Sequence, residues 1–209
     1  INRYAKTMGS NVKRIPMTDQ IGIDLDRIED QVSSRTKMVY LCNPNNPTGA
    51  LMHTSRLESF CKTVSKKSTI FVDEAYHEYV MDPNYRSMID LVKLGYNVIV
   101  SRTASKVHGL AGLRVGFAIT TPEIANQMES YLTDSLNIVG LRAAIASYQD
   151  ERFQAFSIEQ NNRARKVVTD FLDEKEIQYL NSQSNFIFIK TGIQISDFQP
   201  AMENYGVIV

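Results

Sequence analysis

The chain has 209 residues, of which 43% are hydrophobic, so it can bury the core of one large domain, or of one domain and part of a second. Lys and Arg together number 23, as do Asp and Glu, so no net charge draws the chain to nucleic acid or to an anionic membrane, and we expect a small-molecule partner. The two cysteines, Cys42 and Cys61, are too few for a disulfide framework and lack the spacing of a zinc site, so we expect a reducing, cytoplasmic setting and no metal.

Helix and strand patterns alternate over the first part of the chain. Helical spacing and glycine or turn signals predict helices over 1–9, 24–32, 54–67 and 88–94. Short segments, most of them apolar and rich in β-branched residues, predict strands over 11–15, 36–41, 69–72, 97–101 and 113–119. This alternation predicts an α/β fold in which a mostly parallel sheet lies between helices.

The pattern changes after residue 119. Helical periodicity covers 122–131, 136–149, 151–175 and 196–205, and short alternating runs predict strands at 178–180 and 185–189. Because long helices with charges along one side commonly bridge two domains, we predict a large domain over 1–160 and part of a smaller α+β domain over 161–209. No apolar run approaches the roughly 18 residues that cross a bilayer, and no signal peptide is evident.

Polar residues follow three of the predicted strands. The turn cluster Asn-Pro-Asn-Asn-Pro-Thr-Gly occupies 43–49, Asp-Glu-Ala-Tyr occupies 73–76, and hydroxyls and cations occupy 103–114. Open α/β sheets bind their ligands at the carboxyl ends of the strands. We therefore expect the three segments to converge on one pocket.

Lys106 has the most distinctive chemistry in these segments. An amine held near other cations and out of water loses its proton more easily and becomes a nucleophile for carbonyl carbons. Thr103, Ser105 and Arg114 supply hydroxyls and a guanidinium that suit a phosphate. With a carboxylate for a cationic ring nitrogen, this set describes a site for pyridoxal phosphate.

The order of these motifs resembles that of the class I/II aminotransferases of fold type I. The wording Ser-Lys-x-x-Gly-Leu-Ala-Gly-Leu-Arg over 105–114, and Ser-Asn-Phe over 184–186, is similar to the histidinol-phosphate aminotransferase branch. The resemblance covers nearly the whole chain. It implies the large domain of a fold type I, pyridoxal phosphate-dependent transferase with part of the smaller C-terminal domain. It also implies a homodimer with its active sites near the interface.

The resemblance implies a role for each matching residue. Lys106 would bond covalently to pyridoxal phosphate and, once displaced by an amino acid, would act as the general acid and base. Asp73 would accept a hydrogen bond from the protonated pyridine nitrogen. Asn46 and Tyr76 would hydrogen-bond the phenolate oxygen of the ring.

The phosphate group has its own set of residues in the family pattern. Thr103, Ser105 and Arg114 would hold it, with the arginine acting as a fork. The pattern also implies a cis peptide at Asn46–Pro47.

Other elements of the family pattern do not occur in this sequence. The glycine-rich helix N-terminus that binds the phosphate, and the aromatic residue that stacks on the pyridine ring, normally lie upstream of Ile1. The arginine that binds the substrate carboxylate normally lies beyond Val209. We therefore expect the chain to be an internal fragment.

The function implied by the resemblance is transfer of an amino group, with glutamate as donor and a keto acceptor such as imidazole acetol phosphate. The same scaffold supports decarboxylases and β-eliminating lyases, and a non-catalytic ligand-sensing module is a further alternative. Taken alone, Lys106 fits a solvated surface residue and Asp73 fits a helix cap. His77 and His108 have no firm place in the family pattern, so we expect structural or supporting roles for both.

Overall fold

The computed structural model describes residues 2–132 and 136–208, so Ile1 of the first predicted helix lies outside the described residues. One sheet contains, in order, β1 (Met38–Cys42), β2 (Thr69–Asp73), β3 (Val98–Thr103) and β4 (Gly116–Ile119). The first three strands are parallel, and β4 runs antiparallel to β3. This arrangement confirms the predicted α/β fold with a mostly parallel sheet. The last strand is reversed because residues 104–115 return the chain to the sheet edge without the helical crossover that a parallel strand needs.

Helices connect and follow the strands. They are α1 (Asn2–Thr7), α2 (Leu25–Asp30), α3 (Thr54–Val64), α4 (Ile89–Lys93), α5 (Pro122–Glu129), α6 (Ile138–Gln149), α7 (Glu151–Glu174) and α8 (Ile195–Glu203). Aspartates cap two of them, because the Asp24 side chain accepts from the Arg27 amide and the Asp150 side chain accepts from the Phe153 amide, each at 2.9 Å. Among the described residues, no helix is long and apolar enough to cross a membrane.

The main hydrophobic core lies on one face of the sheet, beneath α2, α3 and α4. Leu41, Val72 and Val100 point to this face from neighbouring strands, and Leu57 and Phe60 of α3 cover them. Side chains of a strand alternate between the two faces. The residue that follows each of these core positions therefore points to the opposite face.

Four predicted strands need correction. Residues 11–15 form no strand; they have no ladder partner in the described chain, and most of them are exposed. The predicted strands at 178–180 and 185–189 are reduced to a single antiparallel bridge between Tyr179 and Ile189. The strand predicted to begin at 113 begins at Gly116, because Ala111–Leu113 form a 3-10 turn and Arg114 has a left-handed φ of 55°.

The proposed domain boundary lies inside a continuous helix. Helix α7 runs without interruption from Glu151 to Glu174, so residues 160 and 161 share one helical rod. The chain that follows α7 packs back on the turn at 43–49, where the Gln183 amide donates to the Gly49 carbonyl at 2.8 Å. The division into 1–160 and 161–209 stays a prediction.

Candidate active site

The three polar segments begin at one edge of the sheet. Cys42 pairs in register with Asp73, and Asp73 pairs with Ser101. All three side chains point to the face opposite the main core. The turn at 43–49, the turn at 73–76 and the loop after Thr103 leave the sheet from these neighbouring positions, so the fold places them beside one another.

The turn at 43–49 is a buried polar structure. The Asn43 side chain accepts from the Met52 amide at 2.8 Å, and the Asn45 amide donates to the Thr48 hydroxyl at 2.8 Å. The side chains of Asn43, Asn45 and Thr48 are all buried and hydrogen-bonded, which distinguishes the turn from an ordinary solvated loop. The Asn46–Pro47 peptide is cis, as the resemblance implied, and the Asn43–Pro44 peptide is cis as well.

Tyr76 is the point where the segments meet. Its hydroxyl accepts a hydrogen bond of 2.9 Å from the Asn46 side-chain amide. The Lys106 amine lies 5.0 Å from the centroid of the Tyr76 ring, within reach of a cation–π interaction. Phe186, from the segment after α7, packs edge-on against the same ring with centroids 5.1 Å apart. Tyr76 therefore contacts two of the residues that sequence analysis assigned to the site.

The Asp73 carboxylate is held by donors from both sides of its strand. The Tyr40 hydroxyl donates to Oδ2 at 2.8 Å, and the Ser101 hydroxyl donates to Oδ1 at 3.0 Å. The Ala75 amide donates to Oδ1 at 3.2 Å. Across residues 2–132 and 136–208, no hydrogen bond or ion pair joins Asp73 to Lys106.

The pKa values of two neighbouring groups respond to this environment. Burial, and after it the charge and hydrogen bond of Asp73, raise the pKa of the Tyr40 hydroxyl well above its ordinary value. Burial, with a further contribution from Asp73, raises the pKa of the Cys42 thiol to about 11. At neutral pH, Tyr40 is therefore a hydrogen-bond donor and Cys42 an uncharged thiol, which is a poor nucleophile.

The predicted phosphate residues lie on one stretch of backbone. The Thr103 hydroxyl accepts from the Ser105 amide at 3.1 Å, which orders the loop that leads to Lys106. Arg114 comes beside this loop because the carbonyl of the next residue, Val115, accepts from the Ala104 amide at 3.1 Å. The Arg114 guanidinium itself turns back and donates to the Ala111 carbonyl at 3.0 Å. The fold thus brings the backbones together, while the arginine side chain contacts its own turn.

A buried ionic cluster lies behind the site. Glu74 is fully buried and accepts from the Met88 amide at 2.8 Å, the Ser87 hydroxyl at 2.7 Å and the Arg102 guanidinium at 2.7 Å. Arg102 also contacts the His77 ring, so His77 belongs to this cluster. Glu74 follows Asp73 and Arg102 precedes Thr103, so the cluster ties together the two strand ends that carry predicted site residues.

His108 is also buried. Its Nδ1 lies 2.9 Å from the Ser147 hydroxyl, and its ring lies 3.9 Å from the Tyr148 ring, between centroids. Burial lowers the pKa of His108, and the nearby Glu78 carboxylate opposes part of that effect. Its contacts are with α6 and Glu78, which fits the supporting role expected from the sequence.

The residues present fit pyridoxal phosphate. Lys106 would supply an amine for its aldehyde, Asp73 an oriented carboxylate for its ring nitrogen, and Asn46 with Tyr76 polar groups for its ring oxygen. All four side chains belong to the segments that begin at the same edge of the sheet. In the part of the chain that the structure describes, no group of three or more His, Cys, Asp or Glu residues could hold a metal ion.

Sequence reasoning missed three residues of the site. Tyr40 and Ser101 donate to Asp73, and Phe186 packs on Tyr76. Ser101 could have been identified from the sequence, because it directly follows the apolar residues 98–100 as Asp73 directly follows the apolar residues 70–72. Tyr40 carried none, because its reach to Asp73 depends on strand register. In the sequence, Phe186 is distinguished only as part of the Ser-Asn-Phe motif over 184–186.

The whole chain matches the sequence pattern of the family "Aminotransferase class I and II", over residues 1–209. It is 34% identical to the histidinol-phosphate aminotransferase of Brevibacillus brevis over 205 residues, covering 96% of this chain and 55% of that protein. It is also 34% identical to histidinol-phosphate aminotransferase 1 of Bacillus cereus (strain ATCC 10987 / NRS 248) over 209 residues, covering 100% of this chain and 56% of that protein.

Solved structures show the same likeness. The crystal structure of histidinol-phosphate aminotransferase from Sinorhizobium meliloti, in complex with pyridoxal-5'-phosphate, superimposes with a TM-score of 0.90 at 25% identity. The alignment covers 100% of this chain and 58% of that one. The chain spans about half the length of the curated relatives it matches.

Proposed function

The chain belongs to the aminotransferase class I and II family, and we propose that the whole protein uses pyridoxal phosphate to move an amino group between an amino acid and a keto acceptor. The observation that carries this proposal is the meeting of three segments at Tyr76. The Asn46 amide donates to its hydroxyl, and the Lys106 amine lies over its ring. A cofactor with an aldehyde and a phenolate oxygen requires an amine for the first and polar groups for the second. Lys106 offers the amine, and Asn46 and Tyr76 offer the polar groups.

Each residue has a defined task in this proposal. When bound, pyridoxal phosphate supplies an electron sink for the carbanion that forms at the substrate α-carbon. Lys106 holds the cofactor covalently and, when released, carries the proton to and from that carbon. Asp73 keeps the proton on the ring nitrogen through a charge-assisted hydrogen bond. Asn46 and Tyr76 hydrogen-bond the ring oxygen.

The phosphate falls to Thr103, Ser105 and Arg114. The loop that carries the two hydroxyls is already ordered by the bond from the Ser105 amide to the Thr103 side chain. Arg114 begins in contact with the Ala111 carbonyl and exchanges this partner for the phosphate when the cofactor binds. A guanidinium fork favours a dianionic phosphate over a neutral carbonyl.

The substrate proposed is histidinol phosphate with its keto partner, imidazole acetol phosphate, and glutamate is the proposed amino donor. Support for histidinol phosphate comes from the relatives in Brevibacillus brevis and Bacillus cereus, which are named histidinol-phosphate aminotransferases. A homodimer follows from the same resemblance. A cytoplasmic location fits the two buried free thiols of Cys42 and Cys61.

The experiment is an absorbance titration of the whole protein with pyridoxal phosphate, first alone, then with glutamate, then with histidinol phosphate. Lys106→Ala removes the proposed covalent link. Lys37→Ala, at an exposed lysine just before β1, is the matched control. We expect a Lys106-dependent visible band that each amino donor converts to the spectrum of the aminated cofactor.

The outcomes separate the alternatives. A band that neither donor converts would support the proposed cofactor and contradict the proposed substrates. Release of carbon dioxide or of an eliminated group would identify a decarboxylase or a lyase. If the wild type and Lys106→Ala give the same spectrum, the catalytic proposal fails and a ligand-sensing module takes its place. Light scattering of the loaded protein tests the dimer, and cell fractionation tests the location.

A further inference from the structure

The Asp73 carboxylate is bracketed by two hydroxyls from the strands on either side of it. Tyr40 of β1 donates to Oδ2 at 2.8 Å and Ser101 of β3 donates to Oδ1 at 3.0 Å. We propose that Tyr40 and Ser101 are positioning residues that orient the Asp73 carboxylate and limit how strongly it draws on the proton of a bound ring nitrogen. This inference rests on the proposed function.

Strand register produces the bracket. Asp73 pairs directly with Ser101, which places their side chains next to each other on one face of the sheet. Tyr40 pairs with Phe71, which lies two residues before Asp73 on the same face of the sheet. The long Tyr40 side chain spans this distance to reach Asp73. The Tyr40 ring lies on the Phe71 ring with centroids 5.7 Å apart, which directs the hydroxyl along the sheet.

Burial alone does not force the Tyr40 contact. Tyr40 remains 41% exposed as a residue, so the fold does not enclose its ring. Its hydroxyl donates to Asp73 because a charged carboxylate is a stronger acceptor than a neutral group. The raised pKa of Tyr40 keeps the proton on the hydroxyl at neutral pH, so Tyr40 remains a donor.

The number of donors defines the direction left for a ligand. An ionised carboxylate offers about four lone-pair positions. Tyr40 takes one on Oδ2, while Ser101 and the Ala75 amide take two on Oδ1. The remaining position on Oδ2 is the one available to a ring N–H, so the bracket determines where that ring nitrogen sits.

The bracket also has an electrostatic consequence. Hydrogen bonds to a carboxylate stabilise its negative charge and reduce its pull on any further proton. Without the two hydroxyls, Asp73 would draw the ring proton closer, and the ring would withdraw fewer electrons from the Lys106 linkage. A less neutralised carboxylate would also stabilise the protonated, cationic form of that linkage. Both effects favour its protonation, so the linkage would lose its proton at a higher pH.

The test uses Tyr40→Phe, Ser101→Ala and the double variant in the whole protein loaded with pyridoxal phosphate. The first readout is the pH midpoint of the Lys106-dependent absorbance band, and the second is cofactor affinity from titration of the apoprotein. We expect the double variant to raise the midpoint by roughly 0.5 to 1 pH unit. We also expect its affinity for the cofactor to fall about tenfold.

Two further variants separate positioning from simple stability. Ser101→Thr keeps a hydroxyl, and we expect it to restore the wild-type midpoint that Ser101→Ala shifts. Tyr179→Phe removes another tyrosine hydroxyl that donates to a carboxylate, that of Asp173 at 3.0 Å, on the exposed surface, and it should leave both readouts unchanged.

An unchanged midpoint and affinity in the double variant would overturn the inference, even if its melting temperature fell, because the bonds would then serve stability alone. In that case the Lys106-dependent band of the wild type would still support the proposed function. If the wild type formed no such band, the proposed function and this inference would be rejected together.

Discussion

The Arg102 guanidinium lies 2.7 Å from the Glu74 carboxylate, with Glu74 fully buried and the Arg102 side chain only 9% exposed. The pair joins the end of β3 to the turn after β2, and each partner neighbours a predicted site residue. Glu74 also accepts from Ser87 and from the Met88 amide, so its charge is fully compensated within the fold. The pair therefore couples stability to the shape of the site.

Arg102→Met should destabilise the protein strongly, because it leaves the buried charge of Glu74 without its cationic partner. We expect the free energy of unfolding to fall by about 3 to 5 kcal/mol, measured by urea denaturation. The double variant Glu74→Gln with Arg102→Met removes both charges and should be less destabilised than Arg102→Met alone.

Arg56→Met is the matched control, since Arg56 also pairs with two carboxylates, Asp26 and Glu29, but at the surface. We expect this variant to lose about 1 kcal/mol or less. Equal losses for Arg102→Met and Arg56→Met would show that the buried pair has no special weight.

Gly49→Ala should disrupt the turn that carries Asn46. Gly49 has a φ of 69°, and an added Cβ would lie 2.2 Å from the Ser182 hydroxyl and 3.0 Å from the Ser182 backbone. The strained φ costs on the order of 1 kcal/mol, and the collision with backbone adds more because Ser182 is buried. We expect a loss of about 3 kcal/mol or more in urea denaturation, with weaker cofactor binding.

Gly95→Ala separates the two causes. Gly95 has a φ of 80°, but an added Cβ there would meet nothing within 4 Å. Its loss should therefore reflect the strained φ alone, about 1 kcal/mol. A loss at Gly49 no larger than this would mean that the segment at 182 moves aside freely.

The strands of the sheet were predictable because each is a short apolar run whose signal is local. Thr69–Asp73 was bounded within one residue from its sequence. Residues 11–15, also predicted as a strand, form none, because a strand needs a partner and pairing is decided by the rest of the fold.

Site residues that belong to motifs in a recognisable order could be predicted from the sequence. Contacts that depend on the register of the strands could not. Lys106 and Asp73 stand out in the sequence, whereas the contact of Tyr40 with Asp73 depends on which residue of β1 faces which residue of β2. The low exposure of the Arg102 side chain, 9%, was equally unpredictable, since charged side chains are usually exposed and only its partners in the fold explain the exception.

Tyr76→Phe tests the hydrogen bond between Asn46 and Tyr76. Loss of the hydroxyl removes a group that, in the proposed function, stabilises the ring oxygen and favours the unprotonated Lys106 linkage. We expect the pH midpoint of the Lys106-dependent band to rise by about 1 unit in the whole protein loaded with cofactor. Tyr79→Phe, at a tyrosine buried in the same apolar cluster, is the control and should not shift the midpoint.

His108 should make the protein less stable as the pH falls. Burial lowers its pKa in the folded state, whereas the unfolded chain titrates near 6.5. Between those two values the unfolded state binds more protons, so stability rises with pH through this window and declines as the solution is acidified. The groups that face His108 are Glu78, which opposes the lowering of its pKa, and His77, which adds to it.

His108→Gln should remove this contribution, since glutamine does not titrate. We expect the free energy of unfolding, measured in urea between pH 7 and pH 5, to depend less steeply on pH, with the slope reduced by at most about 1.4 kcal/mol per pH unit. His53→Gln is the control, because His53 is exposed and its replacement should leave the slope as it is. Identical slopes for the wild type and His108→Gln would contradict this prediction, because they would mean that the pKa of His108 is the same in the folded and unfolded states.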